Sequence, residues 1–155
     1  MNDTAYEAAL RILVRRPHAE GELAAKLRKK EFPPEEIAVT LAQLRTEKQL
    51  NDPKLAREYV QWHLDYKPMG RRGIVQRLRL RKFKEPDIEA AVGELVTPEA
   101  ERAGALRLLE SRLQHSDLAK LPPAKKRDRL ARYLLARGFD TELVLSLLDS
   151  TPAVT

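Results

Sequence analysis

Between residues 67 and 84 the chain carries Lys67, Arg71, Arg72, Arg77, Arg79, Arg81, Lys82 and Lys84 and no acid. Guanidinium and ammonium groups at that density serve one kind of chemistry, the neutralisation of an extended anion. Like charges one helical turn apart, such as Arg77 and Arg81, cost a few tenths of a kcal/mol per pair in isolation, on the order of 0.2–0.5 kcal/mol. An anionic partner would offset that cost. Two related runs flank the first. Lys26, Arg28, Lys29 and Lys30 lie upstream, and Lys120, Lys125, Lys126, Arg127, Arg129, Arg132 and Arg137, with Asp128 as the one acid, lie downstream. A solvated helix face accounts equally well for these outer runs, but not for the middle one. Acids collect after each run, at Glu35 and Glu36, at Asp87, Glu89 and Glu94, and at Glu142. The repeated polarity predicts one basic side. The formal net charge of +6 agrees with an anion-seeking surface. Binding of this kind weakens steeply as salt is added. Aromatic residues make up only 5% of the chain, so stacking of bases on exposed rings is not the expected mode.

Other chemistry finds little support. His18, His63 and His115 stand far apart in unrelated settings, without the i, i+3 or i, i+4 spacing of a metal pair. There is no cysteine, which excludes disulfides and thiolate sites. The stretch from Gly70 to Gly73 is too short and too arginine-rich for a phosphate-cradling loop. Glu35 and Glu36 are adjacent and point about 100° apart on a helix, and carboxylates at a helix start have an electrostatic reason to be there. Trp62 and His63 read as inter-helix packing. We therefore expect a binding protein rather than an enzyme, with no cofactor and no metal.

The elements that must position these charges are helices. Apolar residues recur at helical spacing throughout, and strand alternation is nearly absent. Leu23, Leu27, Phe32, Ile37 and Leu41 reappear 51 places on as Ile74, Leu78, Phe83, Ile88 and Val92. A further shift of 56 gives Leu130, Leu134, Phe139, Val144 and Leu148. A period of that size means tandem units. The reading is all-α, with nine short helices in three three-helix repeats at residues 1–50, 51–96 and 97–155. Each unit alone has a marginal core, so neighbours should pack, and the boundaries near Asp52 and Pro98 are junctions rather than linkers. All three phenylalanines are expected to be buried. The first helix is predicted over residues 4–16 and stopped by Pro17. Asn51-Asp52-Pro53 and Thr97-Pro98-Glu99 open the first helices of the later units. Leu106, Leu109 and Leu113 are placed inward on the seventh helix, and residues 116–123 read as a loop. Leu80 should contact a neighbouring repeat. The ends, before about Thr4 and after about Asp149, read as loose. No apolar run reaches the roughly 20 residues a membrane span needs, and Met1-Asn2-Asp3-Thr4 resembles no signal peptide. A cytoplasmic protein is expected.

Leu50-Asn51-Asp52, Leu55-Ala56 and Tyr59-Val60, followed by Gly70, the basic run, Ile74, Leu78 and Phe83, resemble the central motif of the RecX family, bacterial regulators of the RecA recombinase. Ala9-Leu10-x-Ile12-Leu13 through Glu22-Leu23-x-x-Lys26-Leu27 resembles the family's first repeat, and the stretch from Arg132 to Phe139 its third. The family usually has glycine just before the residue that closes each middle helix. Here Gly138 keeps it while Glu31 and Lys82 replace it, which predicts a different geometry for the first two turns. The resemblance implies three tandem three-helix repeats in an elongated, curved monomer. It implies binding to RecA, chiefly as a filament on DNA, with inhibition of filament growth, ATP hydrolysis, strand exchange and coprotease activity. The candidate contacts with the filament and its DNA are Arg71, Arg72, Arg77, Arg79, Arg81, Lys82 and Lys84, with Lys26, Lys29 and Lys30 before them and Lys126 and Arg129 after. Among these, Arg71, Arg72, Arg77 and Arg81 are expected to contribute most. The alternative is a helical-repeat protein that binds DNA weakly, without sequence preference, through the same middle helices.

Overall fold

The computed structural model describes residues 3–155. The first unit is α1 (Ala5–Arg15), α2 (Glu20–Lys29) and α3 (Pro34–Thr46). The second is α4 (Asp52–Tyr66), α5 (Arg71–Leu80) and α6 (Glu85–Leu95). The third is α7 (Pro98–Leu113), α8 (Ser116–Ala119), α9 (Pro123–Ala136) and α10 (Thr141–Asp149), followed by a short 3-10 turn at Pro152–Val154. The described residues form no strand. Local chemistry sets the boundaries. Thr4 closes a capping box with Glu7 at the start of α1, Asn51 accepts from the Lys54 N–H, and Thr97 accepts from the Ala100 N–H. Proline enters the first turn of α3, α4, α6, α7 and α9, where its missing N–H costs nothing.

Each unit has its own apolar core, built from Leu23, Leu27, Ile37 and Leu44; from Val60, Ile74, Leu78 and Ile88; and from Leu109, Leu130, Leu134 and Leu148. Phe83 and Phe139 are buried, whereas Phe32 is only half-buried at the edge of the first core. Four other expectations need correction. Residues 116–119 form α8, with Leu118 buried, rather than a loop. Leu106 is 41% exposed, because α7 turns its small residues Gly104 and Ala105 inward and Gly104 meets Pro68 of the second unit. Leu80 faces solvent at 73% exposure and touches no neighbouring core. The chain after Asp149 is not loose: Val154 is buried in the third core. Of the N-terminal end, Met1 and Asn2 lie outside the described residues.

The three middle helices close in one geometry, contrary to the expectation for the first two. The N–H groups of Phe32, Phe83 and Phe139 each reach back to Leu27, Leu78 and Leu134, at 3.2, 3.2 and 3.3 Å. The residue before each is left-handed: Glu31 at φ 69°, Lys82 at φ 62° and Gly138 at φ 87°. Only a left-handed residue lets the chain satisfy the last carbonyls while turning its apolar follower back onto the helix. A side chain there costs on the order of 1 kcal/mol. Glu31 is exposed, so relieving its strain loses no packing. Glu31→Gly should therefore raise unfolding stability by about 0.5–1 kcal/mol. Urea midpoints of parent and variant check this, and a lowered midpoint would contradict it.

The units interlock by capping one another. Neither α2 nor α5 has a side-chain cap from its own cap residue, Ala19 or Gly70. The missing acceptors come from the first helix of the next unit. The Glu20 N–H donates to both carboxylate oxygens of Asp52, at 3.1 and 3.2 Å, and the Arg71 N–H donates to Glu101 Oε1 at 2.9 Å. Within the first unit Glu36 of α3 serves α1 in the same way, accepting from the Ala5 N–H. Glycines bring the backbones close. Gly21 backs onto Lys82, and Gly70 and Gly73 back onto the turn at Gly138. The Gly70 N–H also donates to the Arg137 carbonyl at 2.9 Å, joining units two and three through the main chain.

Asp52 makes the first junction sensitive to pH. Burial pushes its carboxyl up to about 6 from the ordinary 3.8. The Glu20 N–H and Lys84 oppose the rise, while the charges of Glu20 and Asp87 add to it. A raised folded-state pKa means stability that is complete below about pH 4 and lost as pH rises through about 6. Asp52→Asn keeps an acceptor for the Glu20 N–H without the buried charge. At pH 7.5 it should be more stable than the parent by about 1–3 kcal/mol, since each pKa unit is about 1.4 kcal/mol. The advantage should vanish at pH 4. An equal offset at both pH values in urea unfolding would contradict this.

Candidate polyanion-binding surface

The basic residues separate into groups. Arg71 opens α5, and its guanidinium Nη1 donates to the Val96 carbonyl at 3.3 Å. Arg72 follows on the exposed side and reaches the Phe139 carbonyl of the third unit at 3.5 Å. Two shallow concavities meet at Arg72. One, of ≈ 360 Å³, is lined by Arg71, Arg72, Glu101, Gly138, Asp140 and Thr141. The other, of ≈ 400 Å³, is lined by Arg72 and Arg77 with Met69, Gly73, Gln76, Leu135, Ala136 and Gly138. The junction of units two and three thus holds Arg71, Arg72 and Arg77 together.

His63 lies on α4, near enough to Arg77 to feel its charge. It is buried, and Nδ1 donates to the Lys67 carbonyl at 3.1 Å. Burial, with the charges of Arg77 and Lys67, holds its pKa below the ordinary 6.5, although the Lys67 carbonyl opposes the shift. The ring stays neutral at physiological pH and packs edge-on to Tyr59 and Trp62. Trp62 itself is 44% exposed rather than an inter-helix core residue, because α4 turns its outer face, with Tyr66, to solvent.

Arg79 and Arg81 have partners within the chain. Arg79 pairs with Glu85 at 2.6 Å on the open surface, where such pairs contribute about 0–1 kcal/mol. Arg81 is not the exposed partner of Arg77 that the spacing suggested. Its side chain is 26% exposed, lies over the Tyr59 ring at 4.7 Å and pairs with Glu22 of the first unit at 3.4 Å. It straps unit two to unit one. Lys82 occupies the left-handed turn and Lys84 precedes α6, both exposed. On α9, Arg129 is exposed and Lys126 half-buried, apart from both concavities at Arg72.

Lys26, Lys29 and Lys30 join residues that sequence reasoning missed. They line a groove of ≈ 690 Å³ between α1 and α2, opposite Arg11, Arg15 and Arg16, with Ala8, Ile12 and His18. Arg11 and Arg15 are spaced i, i+4 in the sequence, but spacing alone does not show that they face α2. Among the described residues no cluster of His, Asp or Glu is placed to hold a metal, and no helix is long and apolar enough to cross a membrane.

Fold and surface define a tandem helical-repeat protein that presents cations at a unit junction. Residues 5–44 match the family model for the RecX first three-helix domain. A regulatory protein RecX of Chlorobaculum tepidum is 32% identical over 91% of this chain and 84% of its own length. One of Levilactobacillus brevis is 33% identical over 96% of this chain, which spans 56% of that relative's length. The crystal structure of RecX from Lactobacillus salivarius superposes with a TM-score of 0.80 at 21% identity, covering 95% of this chain and 96% of that one. The chain belongs to the RecX family of regulatory proteins.

Proposed function

We propose that the chain is a negative regulator of the RecA recombinase. It engages RecA–DNA filaments and slows their growth, ATP hydrolysis, strand exchange and coprotease activity. The observation that carries this reading is the relationship to regulatory RecX proteins over more than nine-tenths of the chain. Arg72 and Arg77, exposed where units two and three meet, are the side chains assigned to the filament, with Arg71 beside them. Lys82, Lys84 and Arg129, with the half-buried Lys126, supply charge that speeds encounter with a polyanionic filament. Electron microscopy of RecA–DNA filaments incubated with the chain tests the reading. Shortened or decorated filaments support it, and filaments unchanged and undecorated at equimolar chain count against it.

A further inference from the structure

We infer that the first unit carries a separate nucleic-acid site, the groove between α1 and α2, which holds a single phosphodiester strand. Its walls are two facing rows of cations. Arg11 and Arg15 stand one turn apart on α1, about 6 Å along its axis, and face Lys26 on α2 and Lys30 at its C-cap. Among the described residues no carboxylate lines the groove. Like charges set face to face repel unless an anion lies between them, and among the described residues none of the lining groups is an anion. Arg11 and Arg16 have carboxylate partners outside the lining, Asp3 and Glu22, while Arg15, Lys29 and Lys30 make no ion pair among the described residues.

His18 positions the α2 wall. Its Nδ1 faces the Arg16 carbonyl at 2.9 Å, so Nδ1 carries the proton and Nε2 is left as an acceptor. Lys26 Nζ donates to Nε2 at 2.9 Å. The ring is buried, and burial with the nearby Arg16 and Lys26 charges lowers its pKa, opposed by the Arg16 carbonyl and Glu22. It therefore stays neutral and holds the ammonium at the groove's edge instead of repelling it.

A phosphodiester strand fits better than an acidic peptide. Its charge is continuous and regularly spaced, matching cations repeated turn by turn on both walls, and arginine forks bind phosphate oxygens in pairs. The site does not depend on the recombinase reading, because it is measured on nucleic acid alone. Fluorescence anisotropy with a labelled oligothymidine would compare the parent, the variant Arg15→Gln/Lys29→Gln/Lys30→Gln, and a control of equal net charge, Lys54→Gln/Arg57→Gln/Lys120→Gln. All three would first be checked for parental helicity and melting. The groove variant should bind at least tenfold more weakly, and its log–log salt slope should fall by about 2, at roughly 0.7 per lost contact with a single strand. The control should stay within about twofold. Equal losses in variant and control would reduce the effect to net charge and overturn the site. Competition by an oligoaspartate of equal charge, as effective as unlabelled oligothymidine, would also overturn it in favour of an acidic protein segment.

Discussion

Gly138→Ala should destabilise the protein by about 2–4 kcal/mol, from backbone strain and from its close packing against the second unit. The residue sits at φ 87°, where a side chain costs on the order of 1 kcal/mol. A Cβ there would lie 2.1 Å from the Gly73 nitrogen and 2.6 Å from its Cα. Both are main-chain atoms that no rotamer change can move, and overpacking of this kind costs about 1–3 kcal/mol. Opening the junction would relieve the clash but break the hydrogen bond from Gly70 N–H to the Arg137 carbonyl, a replacement cost of similar size, about 1–3 kcal/mol. Lys82, the equivalent residue of the second unit, keeps its side chain because the glycine is on the other partner: Gly21 leaves the space that the Lys82 Cβ occupies. Chemical unfolding checks this. A Gly138→Ala variant within 1 kcal/mol of the parent would show that the units do not interlock there.

Arg72→Ala combined with Arg77→Ala should raise the concentration of chain needed to inhibit RecA ATP hydrolysis by at least tenfold while leaving the fold intact. Both side chains are exposed, and surface changes usually cost under about 0.5 kcal/mol each. Arginines at the centre of an interface commonly contribute 2 kcal/mol or more to binding, and about 1.4 kcal/mol is tenfold in affinity. Arg81 is left out of the test. Its removal would take away the contacts with Tyr59 and Glu22 and so loosen the junction of units one and two. Parental inhibition by a normally melting double variant would move the filament contact to another surface.

How much of this was legible depends on whether the determinant is local. The five recurring apolar positions announced the units, because a buried stripe on a short helix leaves a spacing that survives divergence. Caps made by Thr4, Asn51 and Thr97 were readable for the same reason. The trans caps were not. Ala19 and Gly70 look uncapped until Asp52 and Glu101 arrive from the next unit. Leu106 was misplaced because α7 packs through Gly104 and Ala105, small residues that carry little apolar signal. In the basic run, spacing put Arg77 and Arg81 on one face, but Glu22, 59 residues away, draws Arg81 across to the first unit. The α1 wall of the groove also stayed unseen, since a facing pair of rows becomes visible only when two helices are set side by side.

The most direct test of the account is the rate of ATP hydrolysis by RecA on single-stranded DNA as this chain is added. A regulator that acts on filaments affects many protomers from one bound molecule. The account therefore predicts a substantial fall in rate at ratios well below one chain per RecA, with the Arg72/Arg77 double alanine variant shifted to higher concentration. A rate unchanged up to equimolar chain, with the protein folded and the filaments formed, would contradict it.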